Sequence, residues 1–136
     1  MVKQTNLILP PFRRGFHLIT SEIVEAIGKL PAAGLMNIFL QHTSAGITIN
    51  ENADPTVRRD FESSFNHLVA ESEPFYIHTY EGTDDMPAHI KSSLVGCSIT
   101  IPITSHRLNL GVWQGIYLCE FRNQASGRHL IITIYS

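Results

Sequence analysis

SITIPITSHRLNLGVWQGIYLCEFRNQASGRHLIITIY, residues 98–135, closes the chain with three β-rich segments and no helical interval between them. Ser98 to Ile103, Trp113 to Phe121 and His129 to Tyr135 are rich in β-branched and aromatic residues, and a smaller segment covers Leu108 to Leu110. Trp113 to Phe121 has almost no polar relief, so it implies deep burial or a subunit interface. Glu120 is the anomaly within it. A carboxylate in such a run must be paired, protonated or bound to something, because an isolated buried charge is prohibitive.

Working back from this stretch, Met86 to Val95 reads as a short helix, with Pro87 near its start and Gly96 just past its end. Phe75 to Tyr80 reads as an aromatic strand. Asp54 followed by Pro55 is a strong helix start, a capping carboxylate and then a proline at the first helical position. Val57, Phe61, Phe65 and Leu68 line one stripe of that helix, with Arg58, Arg59, Glu62 and Asn66 opposite. Ala45 to Ile49 is extended, and Leu35 to Leu40 fits a buried strand. Thr20 or Ser21 can cap a helix whose inner face carries Ile23, Ala26, Ile27 and Leu30. Gln4 to Leu9 and Gly15 to Ile19 complete the set as short strands. This order is no regular βα alternation, which argues against a doubly wound parallel sheet. The fold expected is α+β: a single domain over residues 1–136, sandwich-like, with a large mixed or antiparallel sheet and two to three helices.

Length and charge exclude several roles. A chain of 136 residues suits one domain. Ten basic and 12 acidic residues give a net charge of −2, with neither half strongly basic, so a phosphate-backbone grip on nucleic acid is not expected. No apolar run approaches the roughly 20 residues needed to cross a bilayer, so no membrane role is expected. The N-terminus lacks the features of a signal peptide, and two cysteines make no disulfide framework. A cytoplasmic protein is the expectation.

Four stretches carry chemistry-bearing residues. Gln41-His42-Thr43-Ser44-Ala45-Gly46 joins two strands, and its hydroxyls and amides could hold a phosphate or simply complete a turn. Asn50 and Glu51 end an otherwise apolar strand, where a carboxylate could serve as general base or metal ligand. Arg58 lies one helical turn beyond Asp54 and could reach a phosphate, although such arginines more often form a weak surface ion pair. In the third stretch, Asp84 and Asp85 suit the positive end of a helix. His89 projects from the first turn of that helix, and Lys91 could supply a point charge to a phosphate. In the fourth, Trp113 and Gln114 could wall and read a flat heterocycle, or Trp113 could be a core anchor.

Seven histidines stand out for this length. His42, His78 and His89 would suffice for a zinc-type site with one open position. Their spacings of 36 and 11 residues match no local metal motif, and His17, His67, His106 and His129 compete for the same roles.

His42-Thr43-Ser44-Ala45, Thr48-Ile49-Asn50-Glu51-Asn52 and Asp54-Pro55, then Met86-Pro87-Ala88-His89-Ile90-Lys91-Ser92-Ser93-Leu94, then Leu110-Gly111-Val112-Trp113-Gln114-Gly115-Ile116, together resemble the signature blocks of the YjbQ-like family. The order and spacing fit over nearly the whole chain. Val112 stands where threonine is expected, and Cys97 where proline or another small residue is common. The resemblance implies an α+β fold assembled as a homotrimer and the activity named secondary thiamine-phosphate synthase. In that reaction a pyrimidine-methyl diphosphate loses pyrophosphate to the nitrogen of a thiazole phosphate. It further implies a metal at His42, His78 and His89, with Thr43, Ser44, Glu51, Lys91, Trp113 and Gln114 lining the pocket.

The catalytic set expected is therefore Glu51, Lys91 and His89, with Thr43, Ser44, Asn50, Arg58, Trp113 and Gln114 binding a small phosphorylated heterocycle. Three imidazoles favour a zinc-like divalent metal. Magnesium would suit a diphosphate but would lean on Glu51, Asp84 or Asp85. Two other readings stand beside the first: a metal-dependent phosphoester hydrolase with Glu51 as base, and a non-catalytic trimeric protein that holds a metabolite.

Overall fold

The computed structural model describes residues 1–136 as eight strands and three helices. In chain order these are β1 (Val2–Ile8), β2 (Gly15–Leu18), α1 (Thr20–Ile27), β3 (Ala33–Leu40), β4 (Ala45–Glu51), α2 (Pro55–Leu68), α3 (Asp85–Val95), β5 (Ser98–Thr104), β6 (Arg107–Leu108), β7 (Gln114–Glu120) and β8 (His129–Tyr135). A five-stranded sheet runs β1-β8-β3-β5-β6 and a three-stranded sheet runs β2-β7-β4. Every pairing is antiparallel. The α+β sandwich is as expected. No helix is long and apolar enough to cross a membrane.

Strand periodicity explains the layering. Met36, Ile38 and Leu40 of β3, Ile101 and Ile103 of β5, and Leu130, Ile132 and Ile134 of β8 face one side of the large sheet. They meet Ile47, Ile116 and Leu118 of the small sheet, and Ile23 and Ile27 of α1 complete this core. The small sheet carries a second core on its other face, where Phe16, Tyr117, Cys119 and Phe121 pack against Ala88 of α3 and Phe61 and Phe65 of α2. Strand β7 therefore lies between two cores. That is why its sequence shows no alternation. Burial also pushes the Cys119 thiol far above its ordinary value, leaving it inert at neutral pH.

Three local expectations differ. Phe75 to Tyr80 forms no strand: it pairs with neither sheet, and Ile77 and Tyr80 stand almost wholly in solvent. Aromatic and β-branched residues favour strands only through cross-strand packing, and here there is no partner strand. Leu35 to Leu40 is buried on one face only. Leu35 and Phe39 are exposed on the outer side of the large sheet. At the start of α1 the capping residue is Ile19, with no side-chain cap. The Thr20 hydroxyl instead accepts from the Ile116 amide at 2.9 Å, tying the helix to β7. Asp54, by contrast, caps α2 as expected, accepting from the Thr56 amide at 2.9 Å.

The placement of α3 matters most for function. A Cβ on Gly46 would lie 2.8 Å from Val95 Cγ1, so only glycine lets the helix approach β4 this closely. The Ser92 hydroxyl donates to the Ala45 carbonyl at 2.7 Å. These two contacts set α3 alongside the loop between β3 and β4, and its first turns against that loop.

A candidate metal centre at the start of the third helix

Asp85 and His89 are one helical turn apart and project from the same face of α3. His78, from the irregular segment after α2, completes a group whose ligand atoms all lie within 4.8 Å of one another. His78 Nε2 lies 2.7 Å from Asp85 Oδ2, and His89 Nε2 lies 3.2 Å from the same oxygen. The Asp85 side chain is 3% exposed, against 50% for His78 and 31% for His89. The carboxylate is thus the floor of the group and the imidazoles form its open rim.

The tautomers follow from the partners. A carbonyl oxygen only accepts, so His89 Nδ1–H donates to the Thr43 carbonyl at 2.9 Å. Its Nε2 then faces the Asp85 carboxylate. A bare lone pair there would oppose the carboxylate charge, so the position needs either a second proton on the ring or a cation between the two atoms. Ligand atoms arranged tetrahedrally about 2 Å from a zinc-type ion sit roughly 3.3 Å apart, close to the 3.2 Å seen between His89 and Asp85. Two imidazoles and one carboxylate, with a solvent-facing edge, are a donor set that could hold a transition metal with a position left open.

Arg122 supports the floor. Its Nη1 donates to Asp85 Oδ1 at 2.6 Å and its Nε to Asp84 Oδ2 at 2.9 Å, while Glu81 lies 3.7 Å away. Burial alone would raise the Asp85 carboxyl. The hydrogen bond from His78 and the charges of His89 and Arg122 outweigh it and hold the group below its ordinary value. At Asp84 burial is likewise overcome, by the Asn123 amide and by Arg122. A cavity of about 80 Å³ lined by Glu71, Tyr76, His78 and Met86 opens beside the group. That is room for a few waters, so a larger molecule would bind on the exposed rim.

The other expected residues are distributed over the molecule. His42 lies outside this group: its Nε2 accepts from the His129 amide at 2.8 Å, and burial followed by the charge of Arg128 lowers its proton affinity. Asp85 holds the third place that the sequence reading gave to His42. Ser44 is buried, with its hydroxyl taking a bond from Arg128 Nη2 at 3.0 Å, and Thr43 contributes its carbonyl rather than its hydroxyl. Lys91 is enclosed within the fold. Its side chain is buried, donating to Asn66 Oδ1 at 2.7 Å, with the ammonium 5.7 Å from the centre of the Phe121 ring.

Asn50, Glu51, Trp113 and Gln114 stand at the far end of the small sheet. Six residue steps along β4 separate Glu51 from Ala45, roughly 20 Å at strand rise. There Asn50 Oδ1 accepts from the Glu51 amide, the Glu51 carboxylate from the Asp54 amide, and the Gln114 side chain from the Gly111 amide. Trp113 is 64% exposed, a surface residue and no core anchor. Arg58 lines a different cleft between β2 and α2. Within one chain, then, these residues do not share a cavity with His78 and His89.

Two residues that complete the centre carried little signal. The spacing of Asp85 and His89 by four on a helix with one clear face was available, but the helix dipole already accounted for the carboxylate. Nothing near Arg122 in the sequence pointed to α3. Two of the remaining histidines have local roles: His17 donates to the Arg13 carbonyl and stacks on Phe12, and His106 donates to the Leu30 carbonyl.

The chain as a whole is similar to known proteins. A family model described as UPF0047 protein YjbQ-like matches residues 5–136. The UPF0047 protein YjbQ of Escherichia coli O157:H7 is 47% identical over 133 residues, covering 96% of each chain. Among solved structures, a conserved hypothetical protein from Thermus thermophilus is 34% identical with a TM-score of 0.82, covering 93% of this chain and 96% of that one. A protein of the same family from Clostridium acetobutylicum is 36% identical with a TM-score of 0.81, covering 96% and 98%.

Proposed function

The chain belongs to the YjbQ-like UPF0047 family, and on that premise we propose that it is a metal-dependent enzyme acting on a small phosphorylated heterocycle at His78, Asp85 and His89. The observation that carries the reading is the convergence of these three ligand atoms within 4.8 Å at an open edge. An ion held there would act as a Lewis acid on a phosphate oxygen or a bound water. A donor set with two imidazoles favours zinc, manganese or a similar ion over magnesium.

The protein's own part is orientation. The Thr43 carbonyl keeps the proton of His89 on Nδ1, which leaves Nε2 as the donor atom. Arg122 holds Asp85 Oδ1 and so aims Oδ2 at both rings. Half-exposed His78 leaves the substrate an approach from solvent.

Two acceptors fit this centre. The family resemblance favours the thiazole nitrogen, with thiamine phosphate formed and pyrophosphate released. A second reading, hydrolysis with water as acceptor, is favoured by the bonding of Lys91 and Arg122, the two cations of this part of the fold. Lys91 is tied to Asn66, and Arg122 already faces Glu81, Asp84 and Asp85, so neither is free to neutralise a departing diphosphate. The expected homotrimer belongs to the same proposal: Val2, Leu35, Phe39 and Tyr135 expose apolar surface on the outer face of the large sheet.

The test pairs elemental analysis of the purified protein with turnover. The expected result is stoichiometric transition metal in wild type and its loss in His78→Ala and His89→Ala. Pyrophosphate release that requires thiazole phosphate selects the transferase, and phosphate release without any acceptor selects the hydrolase. Equal metal content in wild type and both variants would overturn the centre.

A further inference from the structure

We infer that the cleft between β2 and α2 is a second binding site, for the phosphate group of a small molecule, independent of the histidine centre. The cleft has a volume of about 360 Å³, and Arg14, His17, Arg58, Arg59, Glu62 and Ser63 supply its polar lining. That volume lies at the small-molecule end of known ligand sites. It shares no lining residue with the cavity beside His78.

Its charges divide into two kinds. Arg14 is largely occupied: it pairs with Glu71 and donates to Asn66 Oδ1 at 2.6 Å and Asn123 Oδ1 at 3.1 Å, while its Nε, 3.4 Å from Glu62, makes no hydrogen bond. Glu62 is occupied in turn, accepting from Asn66 at 3.1 Å as well as facing Arg14. Arg58 and Arg59, neighbours in the same cleft, have no carboxylate partner. Arg58 Nε is moreover shielded from water with no acceptor at all. A buried donor left unmade carries a desolvation cost, and no group within the chain meets it.

A ligand with several oxygens and close to two negative charges would accept from that donor and pair with both arginines. A phosphate group carries about −1.5 to −2 at neutral pH and accepts the planar fork of a guanidinium through two parallel bonds. The Ser63 hydroxyl lines the same cleft and offers a further donor. His17, whose Nε2–H is spent on the Arg13 carbonyl, lines the same cleft. On the other side of Phe16 lies a recess of about 230 Å³ lined by Phe61, Phe65 and Asn50. This gives the body of a phosphomonoester an apolar neighbour that free phosphate would not use.

Metal-free protein in a chelator is titrated with inorganic phosphate and, separately, with phenyl phosphate, followed by calorimetry and amide chemical shifts. Saturable binding is expected, with shifts on β2 and the first half of α2. Arg58→Gln/Arg59→Gln is expected to weaken it by about tenfold or more, while His78→Ala/His89→Ala binds like wild type. Tighter binding of phenyl phosphate assigns an esterified ligand, and tighter binding of inorganic phosphate assigns the free ion. Arg59→Gln alone, at an exposed position, keeps the test valid if the double variant does not fold. No saturation, or equal affinity in wild type and the arginine variants, overturns the site. Because the histidine variants are assayed in parallel, failure here leaves the metal centre standing, and the reverse holds too.

Discussion

Two carboxylates in this protein each face an arginine, and they are put to opposite uses. Glu120 is wholly buried between the sheets, and Arg128 donates to both of its oxygens, from Nε at 2.7 Å and Nη2 at 2.5 Å. Arg128 also reaches Ser44, and the Arg122 amide bonds Glu120 at 3.1 Å. Both carboxylate oxygens of Glu120 thus have partners within the chain. Asp85 is as deeply placed, but only its Oδ1 is taken by an arginine, while Oδ2 is contested by two partly exposed imidazoles. A closed pair holds a loop in place. An open one has capacity left for a ligand.

Removing one member of the closed pair has the largest expected effect. Arg128→Met leaves the Glu120 charge buried and alone, and we expect a loss of about 3–5 kcal/mol in urea unfolding. The double change Glu120→Gln/Arg128→Met removes the charge as well, so its loss should be clearly smaller than that of the single change. If the two are equal, the pair is not what the arginine supports.

At the open pair the effect moves from stability to binding. Asp85→Asn and His78→Ala should reduce retention of a transition metal by about tenfold or more. The fold of His78→Ala should be nearly unaffected, because that side chain is half in solvent. His42→Ala should retain metal at the wild-type level, since its acceptor nitrogen is already bonded to the His129 amide. Metal loss in His42→Ala would put that ring back among the ligands and blur the contrast between the two regions.

Acid sharpens the comparison further. Asp84 is held below its ordinary value because the Asn123 amide and Arg122 outweigh burial. The folded state therefore binds its proton less readily than the unfolded chain does. The stability this contributes is complete above pH of about 4 and is lost as pH falls through the folded value. Arg122→Gln should make that acid limb shallower when melting is followed from pH 5 to 2.

The smallest expected effect is at Lys91. Its ammonium is disfavoured by burial and, less strongly, by Arg14, with Glu62 and Glu71 opposing. The unfolded chain thus binds that proton more tightly, and stability rises as pH climbs from the depressed value toward 10.5, the ordinary lysine value. Asn66 Oδ1 keeps its bond from Arg14 when the lysine is gone. Lys91→Met should shift stability by less than about 1 kcal/mol at neutral pH and abolish the alkaline rise. A large loss at pH 7 would show that the ammonium is needed.

Much of the fold was legible because its signals are local. Asp54-Pro55 announces α2 through a cap and a fixed φ, and Gly96 ends α3 because only a residue free of Cβ strain takes φ of 102°. Phe75 to Tyr80 had the composition of a strand and lacked only a partner, and composition carries no information about partners. In the site, His78 and His89 were visible as unusual residues, and Asp85 was hidden behind a sufficient local explanation. Lys91 has the chemistry of a phosphate ligand, and only the packing shows that its ammonium is bonded to Asn66 of α2.

The amino-acid order alone determined which segments are helix or strand, with Phe75 to Tyr80 the exception, that they form one α+β domain, and that Glu120 must have a partner. Those properties depend on neighbours a few residues apart or on the desolvation of a single group. Which arginine answers Glu120, which histidines converge, and which end of β4 faces them were decided only when the two sheets and α3 packed together. Coordination and ion pairing act over about 3 Å in space, and separation along the chain says nothing about that distance.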